Sequence, residues 1–213
     1  MWSEIWALLI PLTIIIFFKP KEPAIRPIIY YVIIAFILNL LATIITFYIE
    51  FMPPFIKGNN FIYNIHSVAK VFFFGWYIHN LKLVKPSWIP WLILTIYILI
   101  AAIFILFQPY NLLSSFLFAA ESIALLILCI LIFINSMLDD SKTNWLWHTS
   151  FLVTVGIVQF EIINFFTFPF LQFFAKDQSF GLLTLQIFSV AYIILCIVLA
   201  ITLYRSRKEE FTD

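Results

Sequence analysis

The sequence predicts an all-α, polytopic membrane protein: one domain, residues 1–213, built as a seven-transmembrane-helix bundle with its N-terminus outside and its C-terminus in the cytoplasm. Three observations lead there. Apolar residues make up 64% of the chain and charged residues 11%, against roughly 45–50% and 25% in soluble domains. With a mean hydropathy of +1.07, a water-soluble fold of this length could not hide so much apolar surface. The apolar residues also gather into seven stretches near the roughly 20 residues that cross a hydrocarbon core of about 30 Å. Finally, basic residues collect on alternate connections, as the positive-inside rule requires of a multi-pass protein.

The first span, 4–18, is short and carries Pro11, which predicts a tilt or kink. It resembles a signal peptide only in being apolar: it has Glu4 where a basic n-region would stand, and it ends at Lys19-Pro20-Lys21 rather than at small residues. It is therefore expected to be a retained helix. The second span, 27–49, ends beside Glu50, which reads as a solvated terminus. Pro53-Pro54 and Gly58-Asn59-Asn60 turn the chain into the third span, 61–81; Lys85-Pro86-Ser87 leads to the fourth, 88–107, and Gln108-Pro109 to the fifth, 112–137. Asp139-Asp140-Ser141-Lys142 precedes the sixth, 145–174, a long segment that Pro169 is expected to bend or close. The seventh, 181–204, runs into the tail Arg205 to Asp213. No connection could hold a folded domain, and the spans show no internal repeat of their Pro or polar positions. Chemistry must then occur among the helices or in a partner.

For orientation, Lys19, Lys21, Arg26, Lys82, Lys85, Lys142, Arg205, Arg207 and Lys208 fall on one side, and only Lys57 and Lys176 on the other. The richer side is expected in the cytoplasm. Trp88, Trp91, Trp145, Trp147 and Tyr204 then mark the inner interface, and Trp2, Trp6, Tyr48 and Tyr110 the outer one.

Several classes are excluded or disfavoured. A net charge of +1 gives no reason to expect nucleic acid. Cys129 and Cys196 are solitary in apolar runs and read as small buried hydrophobes; with no CxxC motif, neither a metal site nor a cofactor is expected. His79 and His148, near Asp139 and Asp140, match no ligand spacing. The last span has no lysine for a retinal Schiff base, the third ends His79-Asn80-Leu81-Lys82 rather than in an acidic-Arg pair, and no Gly-x-Ser nucleophile motif is present. An enzyme is the least favoured class.

The informative residues are those that cost energy in oil. Lys70 lies in the third span, Glu121 in the fifth and Glu161 in the sixth. An ionised group at mid-bilayer costs about 2.5–3.5 kcal/mol on insertion scales, so each needs a partner or a wet cavity. Counted from the outer ends of their spans at the helical rise, Lys70 and Glu121 lie roughly 13 Å deep and Glu161 roughly 12–20 Å. Asn39 of the second span reaches the same layer. Tyr63, His66, Lys70 and Tyr77 share one helix face, as do Ser150, Thr154, Ile157, Glu161 and Asn164, and Ser114, Phe118, Glu121 and Ser122. These stripes are expected to meet in a common interior. One Lys against two Glu leaves the layer at −1, so one carboxyl should hold a proton or face a bound cation. The alternative is an ion pair with one protonated or water-solvated Glu that only locks the bundle. Asn164, Gln186, Asn135 and Gln159 are expected to act as polar glue between helices.

Three segments carry a family resemblance: Phe61-Ile62-Tyr63-Asn64-Ile65-His66 opening the third span, Ala119-Ala120-Glu121-Ser122 in the fifth, and Trp145-Leu146-Trp147 at the start of the sixth. In these the chain resembles short stand-alone bacterial seven-helix proteins, and it is similar to the seven-helix sensor module that other bacterial proteins fuse to histidine kinases. Lys70 departs from that pattern. The resemblance implies a sensor in a bacterial cytoplasmic (inner) membrane, with a protein partner in the membrane or cytoplasm supplying the output.

The residues and the resemblance together yield an expectation of a receptor-like or accessory protein. It would bind a small ligand, with cations among the candidates, in an outward-facing polar pocket formed by His66, Lys70, Glu121 and Glu161, with Asn39 and Asn164 as secondary groups. The competing expectations are a proton- or cation-coupled small-molecule transporter using the same residues, and a structural subunit of a membrane complex.

Overall fold

The computed structural model describes residues 2–20, 22–52, 58–107, 115–138, 149–168 and 178–206. Among these residues every regular element is helical. Seven α-helices fall on the seven apolar stretches: α1 (Trp2–Phe18), α2 (Arg26–Phe47), α3 (Asn60–Leu81), α4 (Ile89–Phe107), α5 (Ser115–Leu138), α6 (Thr149–Thr167) and α7 (Gln178–Arg205). Short 3-10 turns at Pro23–Ile25 and Ile49–Phe51 flank α2. Pro23 and Pro27 suit the start of that helix, where a missing N–H loses no intrahelical bond.

Five of the helices are long and apolar enough to cross a membrane: α2, α4, α5, α6 and α7. α1 falls short by length. α3 has 22 residues, but its apolar run is broken by Asn64, His66, Ser67 and Lys70. That polarity points inward, since Asn64, Ser67 and Lys70 are all buried. α6 closes at Thr167 with Phe168 in a turn, because the residue before a proline is pushed out of the helical region. The expected continuation of the sixth span through Pro169 to residue 174 lies outside the described residues.

Packing is ring-like. α1, α2, α3, α5, α6 and α7 each contact the next, and α7 returns to α1, while α4 sits outside against α3 and α5. The outer faces are apolar: Leu99, Ile103 and Leu106 on α4, Ile130 and Ile134 on α5, and Leu182 and Val190 on α7 are all exposed. Such continuous apolar surface is unfavourable in water and at home against acyl chains. The protein is thus a multi-pass helical membrane protein. Trp6 and Tyr48 are exposed at one end of the bundle, and Trp88, Trp91 and Tyr204 at the other, where amphipathic rings favour the headgroup level. Trp145, Trp147 and Tyr110, expected in the same two belts, lie outside the described residues, and the Trp2 side chain is not described.

Hydroxyl and amide side chains along the helices bond back onto their own backbone: Thr43 donates to the Asn39 carbonyl (2.9 Å), Thr154 to Ser150 (2.8 Å), Thr184 to Phe180 (2.8 Å) and Asn135 to Leu131 (2.8 Å). Lipid supplies no hydrogen-bond partner, so this satisfies the polar groups locally. Asn135 was expected to bond between helices; its donor is instead used within α5. At Gly156 α6 comes so close to α7 that an added Cβ would lie 2.9 Å from Val198 Cγ1, the small-residue contact typical of membrane bundles.

The ring interior divides into two halves. Toward the ends where α1, α3 and α5 finish, it is dry and closed by Tyr31, Phe74, Leu125, Leu128, Ile157 and Leu199, none more than 1% exposed. Val71 to Ile78 on α3 and Leu125 to Ile132 on α5 each cover seven residue steps, so this apolar plug is about 10 Å thick or more. Cys129 and Cys196 are buried in it as free thiols. Toward the other end, the interior opens.

Candidate functional site

Three helices build the polar centre. α3 directs Lys70 into the ring, α5 brings Glu121 and α6 brings Glu161; the three are 3%, 0% and 1% exposed. The Lys70 ammonium forms ion pairs with Glu121 Oε1 and with Glu161 Oε1, the latter at 2.9 Å. It also lies 4.4 Å from the centroid of the Phe160 ring, one residue before Glu161, so an aromatic face completes its desolvated surroundings.

The two carboxylates are not equivalent. Glu161 Oε2 accepts from Ser122 Oγ (2.8 Å) and from Asn164 Nδ2 (3.1 Å). Asn164 also donates to Ser122 Oγ (2.9 Å) and, at 3.4 Å, to Glu121 Oε1. Both oxygens of Glu161 therefore face donors. Glu121 Oε2 is buried outside the Lys70 ion pair, and the Ser67 hydroxyl is a further donor facing the Glu121 carboxyl. A hydroxyl pair, Ser67 and Tyr97 at 2.7 Å, ties α3 to α4 beside the cluster.

Charge balance assigns a role to that asymmetry. One ammonium cannot neutralise two carboxylates, and an unmatched charge in a dry interior is too costly to keep. A neutral centre needs one proton or one further cation, and Glu121 is the carboxylate with fewer close donors, since Glu161 also accepts from Ser122 and Asn164 at Oε2.

Above the cluster lies a cavity of about 440 Å³, within the roughly 300–1,000 Å³ of small-molecule sites. Asn39 from α2, His66 and Lys70 from α3, and Asn164 from α6 line its polar side. Glu121 and Glu161 sit behind Lys70 and are almost wholly enclosed by protein. All six residues expected from the sequence are thus gathered at one level, though not in one network. Asn39 donates to its own helix, to the Ala35 carbonyl at 3.0 Å. His66 packs its ring 5.9 Å from that of Tyr31, and its Nε2 is buried without a hydrogen-bond partner. Of the other helix stripes, Thr154, Ile157 and Phe118 are buried as expected, and Ser114 lies outside the described residues.

Sequence reasoning missed three participants. Glu4 lines the cavity from α1; its place in the first turn of an otherwise apolar span was the available signal. Ser122 was seen as part of a stripe but not as a ligand of Glu161. Phe160 could not be read from spacing, because it adjoins Glu161 in sequence and reaches Lys70 only through the packing of α6 on α3. His79, considered beside Asp139 and Asp140, bonds the Ser87 carbonyl through Nδ1 at 3.1 Å and fastens the end of α3; the two aspartates and His148 lie outside the described residues. No cluster of three or more His, Cys, Asp or Glu suited to a metal ion occurs among the described residues.

Comparison of the chain with family models, with curated proteins and with solved structures finds no match. The fold and site alone define the class: a multi-pass helical membrane protein whose ring of helices encloses a buried Lys–Glu–Glu centre beneath a cavity.

Proposed function

We propose that this chain is a receptor-like or accessory membrane protein that binds a small ligand in the cavity above Lys70, with the N-terminus and the cavity mouth on the outer face. The observation that carries the reading is the one-ended cavity. Six helices converge on a charged floor, and beyond it α2, α3, α5, α6 and α7 close into an apolar plug about 10 Å thick or more. Binding at such a floor can bias the packing of α3, α5 and α6, which would pass a signal to a partner in the membrane or cytoplasm.

Two features support the orientation. The cavity lies toward the ends where α1, α3 and α7 begin, whereas Lys19, Arg26, Lys82, Lys85 and Arg205 stand at the opposite ends. Seven crossings follow if α1 and α3 join the five long apolar helices, α3 with its polar face turned inward.

The test is reconstitution in sealed vesicles. Saturable small-molecule binding without solute flux is the expected result. pH-dependent flux of the bound compound would replace this reading with the transporter. Single cysteines at Gly58 and Lys85, introduced with both native cysteines replaced by alanine, should label from outside and inside cells respectively; the reverse pattern would overturn the orientation.

A further inference from the structure

The charged centre and the cavity above it are not one recognition element. Lys70 is matched against Glu121 and Glu161, and once one proton or cation completes the balance the centre is neutral. Glu4 is different. It lines the cavity from α1 and forms no ion pair with another described residue. Counting side chains alone, Glu4, Glu121 and Glu161 face the single base Lys70.

The remaining wall is aromatic. Phe118 and Phe168 stack with centroids 4.4 Å apart, Phe168 meets Phe188 edge-on at 5.1 Å, and Phe188 lies 5.4 Å from Phe160. Tyr63 and Tyr192 join these rings, and Asn60, Leu185 and Ser189 complete the lining. Ring faces and one carboxylate around a partly enclosed space suit an organic ammonium, whose diffuse positive charge is drawn to the faces of aromatic rings. An anion would meet Glu4 and would compete for an ammonium that already serves two carboxylates. A bare metal ion would find no cluster of ligands here.

We infer that the ligand of this cavity is a small organic monocation with an apolar body, its ammonium paired with Glu4 and its body seated on the rings of Phe118, Phe160, Phe168 and Phe188. This rests on the cavity being a binding site, and it makes Glu4, rather than the Lys70 centre, the residue that selects charge.

The experiment compares two probes of nearly the same shape, benzyltrimethylammonium and its uncharged carbon isostere neopentylbenzene, with benzenesulfonate as the anionic control. Binding is read as thermal stabilisation and by calorimetry on the full chain in detergent micelles. The cation should bind at least about tenfold more tightly than the isostere, and benzenesulfonate should not bind. In Glu4→Gln the preference should fall to near parity, while neopentylbenzene affinity stays as in the wild type and so reports an intact cavity. Equal wild-type affinities for cation and isostere would overturn the ammonium assignment yet leave the cavity as a ligand site. A preference that survives in Glu4→Gln would overturn the role of Glu4. Binding of neither probe would sink both the inference and the receptor reading. The wild-type comparison alone can refute the charge selection, whether or not the variant folds.

Discussion

Replacing Lys70 by methionine keeps a long, flexible apolar stem and deletes one charge. What remains is a pair of carboxyl groups, 0% and 1% exposed, facing the place where an ammonium stood. No other lysine or arginine lines this cavity among the described residues. Both carboxyls must then be neutral, one more proton than the wild-type centre requires. Protonating an ordinary glutamate at pH 7 costs about 3.7 kcal/mol, from a reference value of about 4.3 and 1.36 kcal/mol per pH unit. That figure falls within the roughly 3–5 kcal/mol found when one partner of a buried pair is removed.

The origin of the cost dictates its pH dependence. The folded variant binds one proton more than its unfolded chain does at neutral pH, beyond any the wild type binds, so its stability falls as pH rises. Between pH 7 and pH 5 the deficit relative to wild type should shrink by about 2.7 kcal/mol, two units at 1.36 kcal/mol each. Equilibrium unfolding of detergent-solubilised protein, titrated with a denaturing detergent at the two pH values, measures this directly. The triple variant Lys70→Met, Glu121→Gln, Glu161→Gln should recover most of the loss, because it removes the whole charge set rather than half of it. A Lys70→Met deficit below about 1 kcal/mol at pH 7, or one that does not change with pH, would refute the reasoning.

Gly156→Ala should cost about 1–3 kcal/mol in the same unfolding assay. The new methyl would lie 2.9 Å from Cγ1 and 3.2 Å from Cβ of Val198, a β-branched side chain with little freedom to turn away; adding Val198→Ala should restore most of the stability. Cys129 and Cys196, 0% and 1% exposed in the plug, should resist a membrane-permeant maleimide in the native bundle and react once it is denatured. Rapid labelling of Cys129 in the native state would show that the plug is not dry.

The sequence carried much of this, for reasons that can be named. Length and apolarity located the helices because a bilayer leaves few alternatives, and helical spacing put Lys70, Glu121 and Glu161 on inward faces because no charge is tolerated against lipid. What spacing could not convey was which helices are neighbours. The ring order, with α4 outside, decides that Phe160 rather than any other ring lies against Lys70, and that α1 contributes to the cavity at all. Glu4 escaped notice for the same reason: at the start of a span, an acid at the interface and an acid lining a cavity look alike in one dimension. The division of Asn39 and Asn135 between interhelical and intrahelical bonding was also illegible, because an i−4 carbonyl competes equally well wherever the residue sits.

The inequality of the two carboxylates leads to a final prediction. Glutamine is isosteric with glutamate but replaces one acceptor oxygen with a donor, so its tolerance depends on what surrounds each oxygen. At Glu121, the amide oxygen can keep the contact with Lys70 while the NH₂ takes the position of Oε2, and the nearby Ser67 hydroxyl can accept as well as donate. At Glu161, Oε2 accepts from Ser122 and Asn164 while Oε1 faces Lys70. Whichever way the amide turns, its NH₂ meets either an ammonium or the Asn164 NH₂ beside a Ser122 hydroxyl that must turn round to accept. Each variant leaves one carboxylate for one ammonium, so net charge cannot distinguish them, and the difference must come from unmatched donors at roughly 1–3 kcal/mol. Glu161→Gln should therefore be less stable than Glu121→Gln by about that amount at pH 7. Equal stabilities, or the reverse order, would mean that Glu121 is not the carboxylate the native centre leaves to a proton or a cation.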